Sequence, residues 1–353
     1  MERTDAPPPR KGRAAAFNTP NRFEPLHVLE DAAALDDADL RQIRTEFLRD
    51  SSKSILSKND SPDVPFTFSI NPYRGCEHGC IYCYARPSHE YLGFSAGLDF
   101  ETKIMVKPDA PKLLERAFMN PSWKPQTLAI SGNTDPYQPI EKKLELTRRC
   151  LEVCLKFGNP VGIITKNYLV TRDLDILTKL AEKNLVHVTL SITSLRDDLT
   201  GVMEPRTSRP VRRLAAIEKL SEAGVSVGVN IAPIVPGLTD EELPAIMKAA
   251  AERGAVSAGY IVMRLPGPVK DLFVDWINRE YPDRADKVLR RIRSMRGGEL
   301  SDPRFKSRMR GEGEWADALS TMFKMTRRRF NLDRRQDLST GHFQRPGQQM
   351  GLF

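Results

Sequence analysis

Between Phe66 and about Pro266 the chain alternates short apolar runs with longer segments of helical periodicity. This alternation is typical of βα units, in which successive strands form a parallel sheet. The apolar runs predict strands at Phe66–Ile70, Thr127–Ser131, Val161–Thr165, Val186–Ile192, Ser226–Ile231 and Gly259–Met263. The periodic segments predict helices at Pro111–Met119, Leu144–Phe157, Asp173–Lys183, Arg212–Ala223 and Asp240–Arg253. The sequence therefore predicts an α/β fold with a parallel sheet.

A loop directly after the first predicted strand contains three of the five cysteines. Cys76, Cys80 and Cys83 follow the spacing Cys-x3-Cys-x2-Cys, and Gly75 and Gly79 allow the backbone to wrap closely around a bulky group. Soft thiolates suit iron–sulfur clusters, zinc or copper(I). A [4Fe–4S] cluster normally takes four cysteines, so three of them leave one iron open to an outside ligand.

A structural zinc site is the alternative for this loop, with His78 as the fourth ligand beside the cysteines. Zinc sites usually take two ligand pairs separated by a longer loop, and three bunched cysteines fit that pattern poorly. The spacing therefore favours a cluster over zinc, and over chance clustering of cysteines.

The other two cysteines, Cys150 and Cys154, lie four residues apart within the predicted helix Leu144–Phe157. This spacing puts them on one helical face together with leucines, where free cysteine behaves as a small apolar residue. A second cluster would need more ligands, so we predict that this pair packs in the core.

Polar residues follow several of the predicted strands. In parallel barrels, ligands gather at the carboxyl ends of the strands. Thr134 and Asp135 follow the second predicted strand, Lys166 follows the third, and Ser191 ends the fourth. With the region around Ala232 after the fifth strand, these positions predict a ring able to hold a zwitterionic ligand that carries a ribose.

The cysteine loop resembles that of the radical S-adenosylmethionine (radical SAM) enzymes, which have an aromatic residue before the last cysteine, here Tyr82. It is more similar still to the spore photoproduct lyase-like (DNA repair photolyase-like) branch, which has a tyrosine after the third cysteine, here Tyr84. The resemblance implies a partial (β/α)6 TIM-type barrel with a [4Fe–4S] cluster. It also implies reductive cleavage of SAM to a 5′-deoxyadenosyl radical, and an electron donor such as flavodoxin or ferredoxin.

The resemblance also implies roles for individual residues, although it assigns no catalytic side chain. The expected cluster ligands are Cys76, Cys80 and Cys83, and the expected cofactor-binding residues are Tyr82, Tyr84, Thr134, Asp135, Lys166, Ser191 and Ala232. Tyr82 lies where the family contacts adenine, as does the backbone near Ala232. Thr134 and Asp135 lie where it contacts the SAM amino group. Lys166 supplies a cation for the SAM carboxylate, and Ser191 a hydroxyl for that carboxylate or the ribose.

The sequence departs from the family pattern at two points, and the stretch from Asp135 to Glu141 suggests a distinct subfamily. Gly132-Asn133-Thr134-Asp135 replaces the usual Gly-Gly-Glu after the second strand. Gly132 also stands where true spore photoproduct lyases have their hydrogen-donating cysteine. The sequence therefore argues against thymine-dimer repair by that route.

Positive charge is concentrated near the carboxyl terminus. The net charge is +8, but residues 284–353 contain 17 Lys+Arg and 8 Asp+Glu, which is +9, so the remainder carries −1. This region includes the predicted helices Arg284–Met295 and Glu314–Phe330, which follow the predicted helix Asp271–Tyr281, and Phe305 is interleaved with its basic residues. Such a surplus favours a polyanionic partner, while a solvated arginine-rich face is the alternative.

Three functions are compatible with these observations. The first is radical chemistry on a nucleic acid, in repair or modification, with the basic C-terminal helices holding the substrate. The second is radical chemistry on a peptide or small molecule. The third is a non-catalytic, metal-binding nucleic-acid module.

The sequence also predicts how the chain is divided. We expect an N-terminal extension at 1–60 that is partly disordered, a radical SAM core barrel at 61–267, a basic helical extension at 268–337 and a flexible tail at 338–353. Within the first part, Asp36 to Leu48 has the periodicity of a short helix. No apolar run approaches the ~18 residues of a membrane span, and the cysteines do not form a disulfide framework. We therefore expect a cytoplasmic protein without a membrane partner.

The last five residues resemble the short peptide by which bacterial repair and replication proteins bind the DNA sliding clamp. Gln349, Leu352 and Phe353 match that peptide, while Gly351 departs from it. Leu352 and Phe353 are suited to fill an apolar pocket as anchors. A chance match is the alternative, because short motifs have a high false-positive rate.

We predict that a peptide of these tail residues binds the sliding clamp of the same organism, and that Leu352→Ala with Phe353→Ala abolishes binding because it removes both apolar anchors. A calorimetric titration of peptide against clamp measures this. Binding that survives the double substitution, or no binding at high micromolar peptide, would contradict it.

Overall fold

The computed structural model of the chain describes residues 10–24, 43–335 and 337–347. Its strands are β1 Glu46–Arg49, β2 Leu56–Lys58, β3 Phe68–Ile70, β4 Tyr73–Arg74, β5 Lys103–Val106, β6 Leu128–Ile130, β7 Val161–Thr165, β8 Val186–Ser191, β9 Ser226–Ile234 and β10 Ser257–Val262. Its α-helices are α1 Leu98–Thr102, α2 Ala110–Met119, α3 Glu141–Leu144, α4 Leu146–Phe157, α5 Leu174–Ala181, α6 Asp197–Met203, α7 Pro210–Glu222, α8 Leu243–Ala251, α9 Val269–Glu280, α10 Pro282–Ser294, α11 Ser307–Arg310 and α12 Glu314–Arg329. Short 3₁₀ helices lie at Arg86–Leu92, Tyr168–Asp173 and Asp240–Glu242.

The main sheet has the strand order β10-β9-β8-β7-β6-β3-β2. Neighbouring strands from β10 to β3 are parallel, and β2 is antiparallel to β3. Each of the six predicted strands is present in this sheet. Among the described residues β10 and β2 remain edges, so the sheet does not close. The predicted α/β fold with a partial (β/α)6 barrel is therefore confirmed.

The core lies between the sheet and the helices that follow each strand. Parallel strands are covered on both faces, and Val161, Ile163 and Val188 are accordingly fully buried. Helix α4 packs Cys150 and Cys154 into the same cluster, with both thiols fully buried. The prediction that this pair packs in the core is confirmed.

A second, small sheet lies beside the cysteine loop, with the order β1-β5-β4. Phe47 pairs with Ile104 in a parallel ladder, so the helix predicted for Asp36 to Leu48 is wrong over Glu46–Arg49. An isolated helix of this length is marginal, and β5 offers backbone hydrogen-bond partners instead. Residues 36–42 of that prediction lie outside the described part.

Residues 10–24 of the N-terminal extension are packed against the segment after the cysteine loop. Ala14, Ala15 and Ala16 are buried, and Arg13 donates from Nη1 to the carbonyl of Glu101 at 2.6 Å. The disorder expected in this extension therefore does not apply to these residues. Residues 1–9 and 25–42 lie outside the described part of the chain.

The tail expected to be flexible from residue 338 is instead packed as far as the structure describes it. Phe343 lies against Phe118 and Phe157, with ring centroids 6.0 and 6.1 Å apart. Arg345 donates to the carbonyls of Phe118 and Trp123 at 3.0 and 2.9 Å. The Gly and Pro content of the tail suggested flexibility. The packing of the Phe343 ring and the hydrogen bonds from Arg345 to carbonyl groups near the end of α2 hold it in place instead. The clamp-like residues Gln349, Leu352 and Phe353 lie outside the described residues, so their role stays a prediction.

Several arginines of the basic extension are used to attach it to the barrel. Arg291 pairs with Asp240 at 3.0 Å, and the buried Arg296 donates to the carbonyl of Met263 at 2.7 Å. Helix α12 packs Phe323 against Tyr260 of β10, with ring centroids 4.6 Å apart. In the part of the chain that the structure describes, no helix is long and apolar enough to cross a bilayer.

Candidate active site

The cysteine loop is held by a buried arginine. Arg86 is fully buried and donates to the carbonyls of Cys80 and Gly79 at 3.0 and 3.3 Å. Its guanidinium pairs with the equally buried Glu101 at 2.5 Å. A buried charge is tolerated only when it is paired and its donors are satisfied, and both conditions hold here. The backbone of the loop is thus fixed by groups other than its thiols.

Gly79 is required by this packing. Its φ is +65°, a left-handed conformation that side chains rarely adopt. A Cβ at this position would lie 2.7 Å from Oε2 of Glu101. Any side chain here would therefore push the loop away from the Arg86–Glu101 pair.

The three thiols of the loop are free and enclosed by protein. Cys76 and Cys80 are buried and Cys83 is partly buried. Burial raises the pKa of Cys80 to about 12, and the nearby ammonium of Lys166 opposes this rise. Among the described residues no three His, Cys, Asp or Glu side chains group as a single metal ion would require. A [4Fe–4S] cluster differs from a single ion because its thiolates bind separate irons, so the donor set fits a cluster.

His78 has both ring nitrogens engaged. Nδ1 lies 3.4 Å from Oδ2 of Asp135, and Nε2 lies 3.2 Å from the side-chain nitrogen of Asn167. Nδ1 therefore faces a carboxylate and Nε2 faces an amide nitrogen, so both nitrogens of the ring have partners within the site. Zinc binding through one ring nitrogen would require His78 to give up the contact made by that nitrogen.

The Asp135 carboxylate connects the cysteine loop to the ends of β6 and β7. Oδ1 accepts from the Thr165 hydroxyl at 2.7 Å and the Tyr137 amide at 2.9 Å, and Oδ2 accepts from the Lys166 amide at 2.8 Å. Burial alone would raise the pKa of Asp135, but His78 and these donors hold it at about 2. With four donors around two oxygens, the carboxylate is saturated and orients its neighbours.

Thr134 is likewise committed to the protein. Its hydroxyl donates to the carbonyl of Tyr73 at 3.0 Å, and its amide donates to Oδ1 of Asn71 at 3.1 Å. Within the expected site for the SAM amino group, the Thr134 hydroxyl and the Asp135 carboxylate therefore already have partners.

Tyr82 and Lys166 lie together next to the thiols. The Lys166 ammonium is 5.7 Å from the centroid of the Tyr82 ring, and no described carboxylate lies within ion-pair distance of it. The Tyr82 hydroxyl donates to the buried carboxylate of Glu204. Burial would raise the pKa of Glu204, but Arg213, which pairs with it, keeps it below its ordinary value.

The Glu204–Arg213 pair also binds the end of β8. The Thr193 hydroxyl donates to Glu204 at 2.7 Å, and Arg213 donates to the carbonyl of Ser191 at 3.0 Å. Neither Glu204 nor Arg213 was predicted from the sequence as part of the site. Glu204 begins a polar run in a βα connection, but helix α6, which was not predicted, separates it from β8. The site residues were predicted from positions directly after each strand, and Glu204 is not at such a position.

Tyr84 and Ala232 are the two remaining predicted residues. The half-exposed Tyr84 donates to the carbonyl of Gly132 at 2.6 Å, and Arg264 lies 5.7 Å from its ring centroid. Ala232 lies near the end of β9, at the same edge of the sheet as Ser191. In the described chain it makes no hydrogen bond by its side chain, as expected for alanine.

A cavity of about 430 Å³ lies against the inner face of the sheet, a size typical of ligand pockets. Its wall includes the small residues Ala129 and Gly162 and the polar residues Thr189 and Asn230. Met309 also lines it and accepts from Arg264 at 3.4 Å. The Arg264 guanidinium also lies over the ring of Tyr84, which directly follows Cys83. The side chains of Met309, Arg264 and Tyr84 therefore form a chain of contacts from the cavity wall to the cysteine loop.

Residues 70–250 match the family model of the Radical SAM superfamily. An uncharacterized protein of Mycobacterium tuberculosis (strain ATCC 25618 / H37Rv) is 34% identical over 262 residues, which cover 73% of this chain and 76% of that protein. An uncharacterized protein of Methanocaldococcus jannaschii is 29% identical over 199 residues, covering 56% of this chain and 71% of that protein.

Solved structures of spore photoproduct lyase share the fold. The lyase complexed with dinucleoside spore photoproduct superposes with a TM-score of 0.59 at 19% identity, covering 81% of this chain and 80% of that chain. A mutant of it with bound AdoMet and dinucleoside spore photoproduct gives a TM-score of 0.56, covering 81% and 79%. Together with the cysteine loop and the matched region, these findings show that the chain belongs to the radical SAM superfamily and is an enzyme of that class, which uses a [4Fe–4S] cluster and SAM.

Proposed function

We propose that this radical SAM enzyme acts on a nucleic acid, in repair or modification. The observation that carries the proposal is the cavity of about 430 Å³ against the inner face of the sheet, whose wall includes the cationic side chains of Lys306 and Arg310. The charge of +9 in residues 284–353 supports a polyanionic substrate. Spore photoproduct lyase, whose fold is similar, is described in complex with a dinucleoside photoproduct.

Cys76, Cys80 and Cys83 are the proposed cluster ligands. These thiolates would hold the cluster, which would supply the electron for cleavage of the C5′–S bond of SAM into methionine and a 5′-deoxyadenosyl radical. Arg86 and Glu101 hold the loop in shape for this cluster, because they fix the carbonyls of Gly79 and Cys80. The electron would come from a carrier such as flavodoxin or ferredoxin.

Lys166 is the proposed partner of the SAM carboxylate. Its ammonium lies beside the Tyr82 ring, has no carboxylate partner among the described side chains, and is set in place by the bond from its amide to Asp135. Tyr82 is proposed to flank the adenine, with its ring oriented by Glu204. Asp135 and Glu204 thus act as positioning residues.

The remaining predicted cofactor contacts keep more limited roles. We propose that Thr134 offers its backbone to the SAM amino group, because its hydroxyl is bound to Tyr73. Ser191 and Ala232, at the same edge of the sheet, stay proposed contacts for the ribose and adenine. Tyr84 lies between the cysteine loop and Arg264, so we propose that it borders the substrate.

A peptide or small-molecule substrate is the alternative. It is favoured by the internal pairing of several basic residues, such as Arg291 with Asp240 and Arg304 with Asp302. The two substrate classes are separated by incubating the anaerobic enzyme with SAM and dithionite and measuring 5′-deoxyadenosine. We expect DNA or RNA to stimulate its formation. A lack of response to either nucleic acid would contradict the proposal.

For the cluster, we predict that Cys76→Ala, Cys80→Ala and Cys83→Ala each abolish the brown chromophore and SAM cleavage, since each removes one of three ligands. Absorption spectra and iron and sulfide analysis measure this. Cys150→Ala and Cys154→Ala are the controls and should keep the cluster. Loss of the cluster in these controls, with retention in a Cys76 variant, would overturn the ligand assignment.

For SAM, we predict that Lys166→Ala weakens binding by about 1.5–3 kcal/mol, the value of a charge-assisted hydrogen bond, while the cluster is retained. Calorimetric titration of the anaerobic protein with SAM gives the Kd. Lys183→Ala, which removes an exposed lysine before β8, is the matched control. Equal Kd values for the two variants would remove Lys166 from the site.

For the buried pair, we predict that Glu204→Ala lowers the free energy of unfolding by about 3–5 kcal/mol, because it leaves the Arg213 charge buried without a partner. Replacing both residues by leucine should cost less, since it removes both buried charges. Denaturant titration of the apoprotein measures both. If the double leucine variant loses more free energy of unfolding than Glu204→Ala, the unpaired charge of Arg213 is not the main cause of the destabilisation by Glu204→Ala.

A further inference from the structure

The segment Asp302–Arg310 lies at the open side of the barrel, between the two edges of the main sheet. On one side, Arg310 covers the ring of Tyr260 in β10 at 3.8 Å and donates to its carbonyl at 2.9 Å. On the other side, Asp63 in the β2–β3 connection accepts from the Lys306 amide at 2.7 Å and pairs with Arg308 at 2.5 Å. The segment is therefore fixed at both ends, and its residues border the cavity.

Positive charge at this position is only partly neutralised. Asp63 is committed to Arg308, and among the described residues no carboxylate lies within ion-pair distance of the Arg264, Lys306 or Arg310 side chains. The pKa of Arg264 is lowered, first by burial and then by the nearby charge of Arg308. Cations that repel each other at the mouth of a cavity attract an anion, which relieves the repulsion.

An exposed aromatic ring stands at the same place. Phe305 is 54% exposed, and the guanidinium of Arg308 lies 4.4 Å from its ring centroid. The next residue, Lys306, has a φ of +67°, a strained conformation for a side chain other than glycine. The bond from its amide to Asp63 holds this turn and presents Phe305 to solvent.

We propose that Arg264, Phe305, Lys306 and Arg310, here called the cationic rim, bind the strand beside the reacting nucleotide. The cations contact phosphates and Phe305 stacks on a base, while the reacting nucleotide enters the cavity behind them. This inference rests on the proposed function, because it takes a nucleic acid as the substrate. A base stacks on Phe305 only when it is unpaired, so the rim selects single-stranded or locally opened nucleic acid over intact duplex.

The test measures binding of the anaerobic holoenzyme to labelled single-stranded and duplex oligonucleotides of DNA and RNA, by fluorescence anisotropy over a salt series. Lys306→Ala with Arg310→Ala should weaken single-strand binding about tenfold or more, because charge-assisted hydrogen bonds to phosphate are removed. The slope of log K against log salt should fall by about 0.7 for each phosphate that the variant no longer binds. The matched control is Arg290→Ala with Arg328→Ala, which removes two exposed cations from α10 and α12.

Phe305 is tested separately from charge. Phe305→Ala should weaken single-strand binding about tenfold with the salt slope unchanged, whereas Phe305→Trp should retain affinity and show quenched tryptophan fluorescence on binding. Equal thermal midpoints of the variants exclude unfolding as the cause.

The outcomes separate the rim from the proposed function. Weaker binding by the rim variants than by the helix control supports the rim. If single-strand binding weakens equally in the rim and control variants, or in the control variant alone, the proposal for the cationic rim is wrong, while a nucleic acid can still be the substrate. Tighter binding to duplex than to single strand by the unaltered enzyme also overturns it. If the unaltered enzyme binds neither DNA nor RNA at low salt, the proposed function itself fails.

Discussion

The buried ion pair between Arg86 and Glu101 is the interaction on which the cysteine loop depends. Burial raises the pKa of the Cys76 and Cys80 thiols and so disfavours their charged form, which means that charge on these thiols does not hold the loop in place. Arg86 instead binds the carbonyls of Gly79 and Cys80, and Glu101 neutralises it. Removing either partner would leave an uncompensated charge in the interior, so the loop and the pair are stable only together.

Two further buried carboxylates arrange the rest of the site by the same physical rule. Asp135 and Glu204 are each surrounded by donors, since an ionised carboxylate away from water needs them. The donors come from different parts of the chain: Lys166 and His78 at Asp135, and Tyr82 at Glu204. Each carboxylate therefore links the cysteine loop to a different strand end. The arrangement leaves the Lys166 ammonium as a cation without a carboxylate partner among the described residues beside the thiols.

The sequence was sufficient to predict the six parallel strands of the main sheet, but not the antiparallel edge strand β2 or these links. Each predicted barrel strand begins within two residues of the observed one, because buried parallel strands are short, apolar and rich in β-branched residues. Periodicity failed at Glu46–Arg49, where backbone pairing with β5 decides the structure. The role expected of Asp135 as a SAM contact rested on position alone. Position cannot show that four donors already surround its oxygens, and Glu204 was missed since it is distant in sequence from Tyr82.

Many basic residues of the C-terminal extension already have partners, so fewer of them can bind a polyanion than its net charge indicates. This pairing restricts the part of the surface on which a polyanion would bind. Arg291, Arg304 and Arg308 have carboxylate partners, and Arg296 is buried against backbone carbonyls. These residues contribute to the +9 of residues 284–353 but already have partners: Arg291, Arg296 and Arg308 attach the extension to the barrel, and Arg304 pairs within the extension. An arginine with a satisfied partner gains little from a phosphate, because it must first give up that partner. The cations that remain include some on outward helical faces, whereas Lys306 and Arg310, at the open side of the barrel, also line the cavity.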